Sequence, residues 1–174
     1  MRLPSRFLVL PWLAALAAFA ALAAAPALAA EPRPSYTFQA VFLIADVANG
    51  GFADGVPENA QKALRSAASF LPYKSYRLLD SCWIRTSFKG SSRVTGPDGN
   101  PLEVHVVVDI GADRGSRIVL DQFYLQSLLK SGAPYGQPLL STSFSMELGE
   151  TVVVGTSKLD GSDKALVVLL TAIK

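Results

Sequence analysis

His105 is the only histidine in the chain, so any imidazole-based mechanism depends on it. It shares the polar positions of an alternating segment with Glu103 and Asp109. Glu103 is two residues away, roughly 7 Å along an extended strand, and Asp109 four residues away, roughly 13 Å. Asp109 is therefore out of reach as the orienting acid of a triad, whereas a carboxylate from a neighbouring strand stays open. Ser81 and Cys82 offer a nucleophile only if a base arrives from elsewhere. With one His and one Cys, a zinc site would need two carboxylates brought in by the tertiary fold. Asp46, Asp80, Asp109 and Asp121 fall in or at the ends of extended segments, and a pair of them would suit acid/base work if the fold brought them together. Asp80 falls among apolar neighbours, where a carboxylate needs a partner such as Arg77 or Arg85. Gly50-Gly51, Gly55 and Gly149 do not have the strand-to-helix setting of a phosphate-cradling loop. No catalytic residue, metal site or cofactor is expected on this reading. The candidate binding residues are Tyr73, Tyr76, Asp80 and Trp83. Phe70, Tyr73 and Trp83 would rim an apolar cleft between helix and sheet, unless they are plain core.

The elements that must carry these residues follow from periodicity. Tyr36 to Asp46 is apolar on both alternating faces, as expected of a strand central in its sheet. Pro57 to Leu71 is the one predicted helix. Pro57 suits a first helical position and Glu58 the positive end of the helix dipole. Ala60, Ala63, Leu64, Ala67, Ala68 and Leu71 make a narrow apolar stripe, and Pro72 ends it. Beyond it the chain reads as strands: Arg77 to Ser87, with Leu78, Cys82 and Ile84 opposite Leu79 and Trp83; Leu102 to Ile110; and Arg117 to Leu125, with Ile118, Leu120 and Tyr124 opposite Val119, Phe123 and Leu125. Leu139 to Leu148, Glu150 to Leu159 and Lys164 to Ile173 follow, the last apolar on both faces. Residues 95–100 are a turn cluster and 131–138 a loop. Short turns imply antiparallel pairing. The expected fold is α+β: a mostly antiparallel sheet of about six to seven strands with one helix packed on a face.

Arg2 and Arg6 precede an uncharged run from Phe7 to Ala25, followed by Pro26 and Ala27-Leu28-Ala29-Ala30. That is the order of a secretory signal peptide with a small-residue cleavage site, so residues 1–29 are expected to be removed and 30–174 to form a single exported domain, periplasmic or secreted. A retained anchor is the alternative, but Pro11, Pro26 and the predominance of Ala argue against stable membrane insertion. Arg2 and Arg6 account for the whole excess of 16 basic over 14 acidic residues. The remainder is neutral and has no electrostatic pull towards nucleic acid or anionic lipid. Cys82, a lone cysteine, cannot form an intramolecular disulfide, so the core must hold the fold.

Leu140 to Gly155, and within it Gly149-Glu150-Thr151-Val152-Val153-Val154-Gly155, followed by Leu166 to Thr171, resembles the β-hairpin region of bacterial secretins. In that family a long insertion between the two strands forms the membrane gate, whereas only Thr156 to Asp163 intervenes here. The whole chain, with Leu71-Pro72-Tyr73-Lys74-Ser75-Tyr76-Arg77-Leu78-Leu79-Asp80, is similar to a group of uncharacterised exported bacterial proteins. That likeness carries no activity with it; the lack of a catalytic constellation together with the hairpin resemblance points to a non-catalytic accessory module of the Gram-negative envelope. Such a module would bind an envelope protein or itself, with edge-strand pairing as the contact mode. A small-molecule or lipid-binding module is the alternative.

Overall fold

The computed structural model describes residues 34–109, 117–128, 138–159 and 161–173, all within the unit Arg33–Lys174. The expected export segment and most of the loop expected at 131–138 lie outside them. The elements run β1 (Tyr36–Asp46), β2 (Gly51–Phe52), α1 (Glu58–Ser66), β3 (Ser75–Thr86), β4 (Lys89–Thr95), β5 (Pro101–Val108), β6 (Arg117–Ser127), β7 (Pro138–Glu147), β8 (Thr151–Lys158) and β9 (Lys164–Ile173). Two sheets form, ordered β2-β3-β1-β9-β8 and β4-β5-β6-β7. Every pairing is antiparallel except the two-residue bridge of β2 to β3.

The α+β class holds, but the single sheet of six to seven strands does not: among the described residues nine strands are divided between two sheets. The reason is apolar area. Leu102, Val104, Val106 and Val108 of β5, with Leu120, Phe123 and Leu125 of β6, are buried. A nine-residue helix cannot cover such a face. The inner face of the first sheet covers it instead, with Phe38, Phe42, Cys82, Ile84, Val168 and Leu170 in the same core. A second core lies on the opposite face of that sheet, where Val41, Leu43, Ala45, Val167 and Leu169 meet Ala60 and Leu64 of α1. β1 and β9 each have a strand on both sides and a packed layer on both faces. That is the physical content of their unbroken apolar sequence.

Both missed strands sit at sheet edges. β4 buries only Val94 and otherwise reads Lys-Gly-Ser-Ser-Arg and Thr, the polar composition of a blunted edge. α1 ends at Ser66, five residues before the expected Leu71. Past it the hydrogen bonds tighten into turns, with Ala68 N–H on the Arg65 carbonyl and Phe70 N–H on the Ala67 carbonyl. Ala68 is exposed, so only Ala67 and Leu71 were left to extend the stripe.

Bulges correct two expected faces. The β1–β3 register shifts between Phe42 and Leu43, leaving Leu79 as an extra residue. Leu78 therefore packs towards α1, while Leu79, Cys82 and Ile84 pack between the sheets. In β6 the shift at Asp121–Gln122 puts Ile118, Leu120, Phe123 and Leu125 together in the core and leaves Tyr124 outside it. No helix among the described residues is long and apolar enough to cross a membrane.

Candidate functional site

The four residues expected to bind do not converge. Tyr76 is buried, stacked on Phe52 with ring centroids 5.4 Å apart, and its hydroxyl donates to the Tyr73 carbonyl at 3.1 Å. Burial, and to a lesser degree Tyr73, pushes its phenol above the ordinary value. It anchors the segment between α1 and β3, and Tyr73 packs half-buried against the same core. Trp83 lies seven residues further along β3 and is 58% exposed. Asp80 acts on the other face. Its Oδ1 accepts from the Ser81 N–H at 2.7 Å and its Oδ2 from the Thr95 N–H at 2.8 Å. Backbone amides replace the expected arginine because the bulge at Leu79 aims the carboxylate at the end of β4. Asp80 thus ties the two sheets together.

Beside it, Cys82 is buried, and desolvation raises its thiol pKa, reinforced by the Asp80 charge and opposed by a hydrogen bond with Ser92. That is the environment of an inert core thiol.

The sole histidine joins a polar network on the outer face of the second sheet. His105 Nε2 lies 3.1 Å from Glu103 Oε2. Gln126 Nε2 donates to the same oxygen at 2.9 Å, and the Tyr124 hydroxyl donates to Gln126 Oε1 at 3.1 Å. Arg93 Nε stands 3.9 Å from Glu103 Oε1. The Gln126 hydrogen bond, then His105 and Arg93, hold the Glu103 carboxyl below its usual range against a smaller opposing effect of burial. The carboxylate that partners His105 is thus its near neighbour on the same strand, with Tyr124 and Gln126 supplied by β6 and Arg93 by β4. Of the four aspartates that could have met, Asp109 and Asp121 share a shallow recess of about 610 Å³ with Arg117, Ser143 and Ser145. There the Arg117 guanidinium donates to Ser145 Oγ from both Nε and Nη2, at 2.9 and 2.7 Å. Asp46 and Asp80 do not line it. Among the described residues no group of three or more His, Cys, Asp or Glu side chains is placed to hold a metal ion.

The feature that sequence reasoning located only in part is the outer edge of β8. In the first sheet β8 is bonded to β9 on one side and has no strand on the other among the described residues. It carries five β-branched residues and no proline, the composition of a strand ready to pair. Alongside runs a groove of about 690 Å³ between α1 and β8, lined by Ala63, Ala67, Phe70, Val152 and Val153 with Asn59 and Lys62 at its polar end. Phe70 is 87% exposed. Of the three aromatics expected at a cleft mouth, Phe70 lines this groove, and Tyr73 and Trp83 do not.

Three side chains fix α1 above β8. Asn59 Nδ2 donates to Thr171 Oγ1 at 3.0 Å and to Thr151 Oγ1 at 3.4 Å, and the two hydroxyls lie 2.9 Å apart. The turn feeding β8 uses the residues singled out in the sequence. Gly149 adopts φ +85°, a left-handed conformation that favours glycine. The Glu150 carboxylate accepts the Glu147 N–H at 2.7 Å. Gly-Glu-Thr is thus a compact device for carrying the chain from the second sheet to the first.

Comparison with protein-family models, with curated proteins and with solved structures finds no match.

Proposed function

We propose that the chain is an exported, non-catalytic interaction module of the bacterial cell envelope, which engages a protein partner through the outer edge of β8 and the groove beside α1. The observation that supports this most is the coincidence of a β-branched strand edge, bonded to no second strand among the described residues, with an apolar groove bearing a largely exposed phenylalanine. An incoming strand would take its backbone hydrogen bonds from β8 and its side-chain contacts from the groove. The signal-peptide pattern of residues 1–29 supports placement outside the cytoplasm. The Gly149–Gly155 resemblance supports association with a secretin-like assembly.

A second reading, an apolar small molecule or lipid seated in the same groove, draws on its volume of about 690 Å³, within the usual range of ligand sites. Two variants separate the readings. Thr156→Pro removes an amide on the exposed edge beyond the groove, and Phe70→Ala removes the groove's exposed ring. Capture of partners from envelope extract by the tagged protein should fall at least about tenfold for Thr156→Pro if backbone pairing is the contact. Retention of the same partners by Thr156→Pro would contradict strand pairing, and loss with Phe70→Ala alone would favour the ligand groove.

A further inference from the structure

Asparagine followed by glycine is among the junctions of a polypeptide most open to attack by its own backbone, because no β-carbon shields the next amide from the side-chain carbonyl. The chain has three asparagines. Asn100 precedes Pro101, whose nitrogen has no proton to give up. Asn59 precedes Ala60 inside α1, and its Nδ2 donates to Thr171 Oγ1 at 3.0 Å. Only Asn49 precedes a glycine, and the pair Asn49-Gly50 lies in the loop between β1 and β2.

The fold leaves this junction open. Asn49 and Gly50 are both exposed, and among the described residues neither the Asn49 side chain nor the Gly50 N–H has a hydrogen-bond partner. The residues on either side are held. The Ala48 N–H donates to Asp46 Oδ1 at 2.9 Å, and the Gly51 N–H to the Lys74 carbonyl at 3.0 Å. By contrast the Gly99 N–H, which follows Asp98, is engaged by the Gly96 carbonyl at 3.0 Å. Glycine at position 50 is itself required, since a β-carbon there would lie 2.8 Å from Ser75 Oγ. The close packing against the start of β3 thus dictates the residue that makes Asn49 reactive.

We infer that Asn49 is a site of spontaneous modification, converted through a cyclic imide to isoaspartate and aspartate. The Gly50 nitrogen gives up its proton and bonds to Asn49 Cγ. The Cγ–Nδ2 bond breaks, and the side-chain nitrogen leaves as ammonia with that proton. Water then opens the imide. Cleavage at Cγ restores the ordinary backbone with aspartate at position 49. Cleavage at the backbone carbonyl carbon of residue 49 leaves isoaspartate, with one more carbon in the main chain. Either product ionises at neutral pH and adds one negative charge, close to the Asp46 carboxylate that holds the Ala48 N–H. The extra carbon falls between the Asp46 and Gly51 anchors, in the segment that feeds β2 and the stacking of Phe52 on Tyr76. The site lies at the β2 end of the first sheet, away from the β8 edge, and does not depend on what binds there.

The test uses the chain expressed with its own N-terminus and purified in whatever processed form results, its mass first read by mass spectrometry. It is incubated in warm, mildly alkaline buffer beside a synthetic peptide spanning residues 46–52. Peptide mapping should place the conversion at Asn49, at a rate within about tenfold of the free peptide, because an exposed loop with no hydrogen bond at the reacting amide opens at little free-energy cost. Isoelectric focusing should show the intact chain moving by one acidic step, absent from Asn49→Gln. Isomerisation of the nearby Asp54, which precedes Gly55, changes neither mass nor charge and cannot mimic that step. Conversion slower than the peptide by more than about tenfold would show that the fold protects the junction and would overturn the inference. The same acidic step in Asn49→Gln would place the modification elsewhere and overturn it as well.

Discussion

Glu103 sits in a hydrogen-bonded network with His105, Gln126, Tyr124 and Arg93 on the surface of the second sheet, and its acid-base behaviour is the most direct report on that network. Its carboxyl titrates below the ordinary 4.5 in the folded chain, so the unfolded chain takes up the proton first. The stability it contributes is complete above 4.5 and is lost as pH falls through the lower folded value. Thermal melts of wild type and Glu103→Gln should converge as the solution is acidified through that window and differ most near neutrality, with wild type the more stable. Parallel curves would show that the network contributes nothing. Asp80 gives a second residue-scale prediction. Two backbone amides depend on its carboxylate, so Asp80→Ala should cost about 1–3 kcal/mol in denaturant unfolding. A loss below about 0.5 kcal/mol would mean that water satisfies both amides equally well. The sequence showed that Asp80 needed a partner and could not show which, because the partner is set by a bulge at Leu79 that alternation alone does not reveal.

At the scale of elements, legibility followed burial. β1 and β9 were readable because both of their faces are buried, and a two-sided apolar run has few other uses. β4 was unreadable because an edge strand with one buried side chain looks like a loop. Bulges in β3 and β6 each change which face follows, so each of those two face assignments holds on one side of the bulge and fails across it. The helix start was placed to within one residue, Pro57 being the N-cap rather than the first helical residue, and its end was extended too far where Ala67, Ala68 and Leu71 continued the stripe. Its attachment is correspondingly slight: Ala60 and Leu64 are its only buried residues. Leu64→Ala should therefore cost about 2–5 kcal/mol and loosen α1 from β8 and β9. Amide exchange in residues 58–66 should accelerate ahead of global unfolding. Exchange unchanged there, with the full stability loss, would show that helix and sheet unfold only as one unit.

For the whole molecule, the layering of helix, five-stranded sheet and four-stranded sheet was not legible, since nothing local says which of two apolar faces meets which. The candidate site was legible only through Phe70 and the Gly149–Gly155 segment. Its defining property is a backbone edge left unpaired among the described residues, which belongs to the topology and to no residue type. The aromatic cluster of Tyr73, Tyr76 and Trp83 suggested a surface because the residues are close in sequence; the fold spends Tyr76 on the core and separates Trp83 along the strand. What remains is a described surface on which the β8 edge lies beside an apolar groove and has no second strand bonded to it.

Residue-resolved amide exchange along β8, measured on the protein alone at high dilution and again with its partner bound, tests that claim most directly. The account predicts slow exchange at Val152 and Ser157 throughout, because their amides face β9. Val153 and Thr156 should exchange rapidly in the isolated chain and slow by at least about tenfold on binding. Protection of all four amides in the dilute, isolated protein would show that the edge is already covered. Unchanged exchange at Val153 and Thr156 in the complex would place the contact elsewhere.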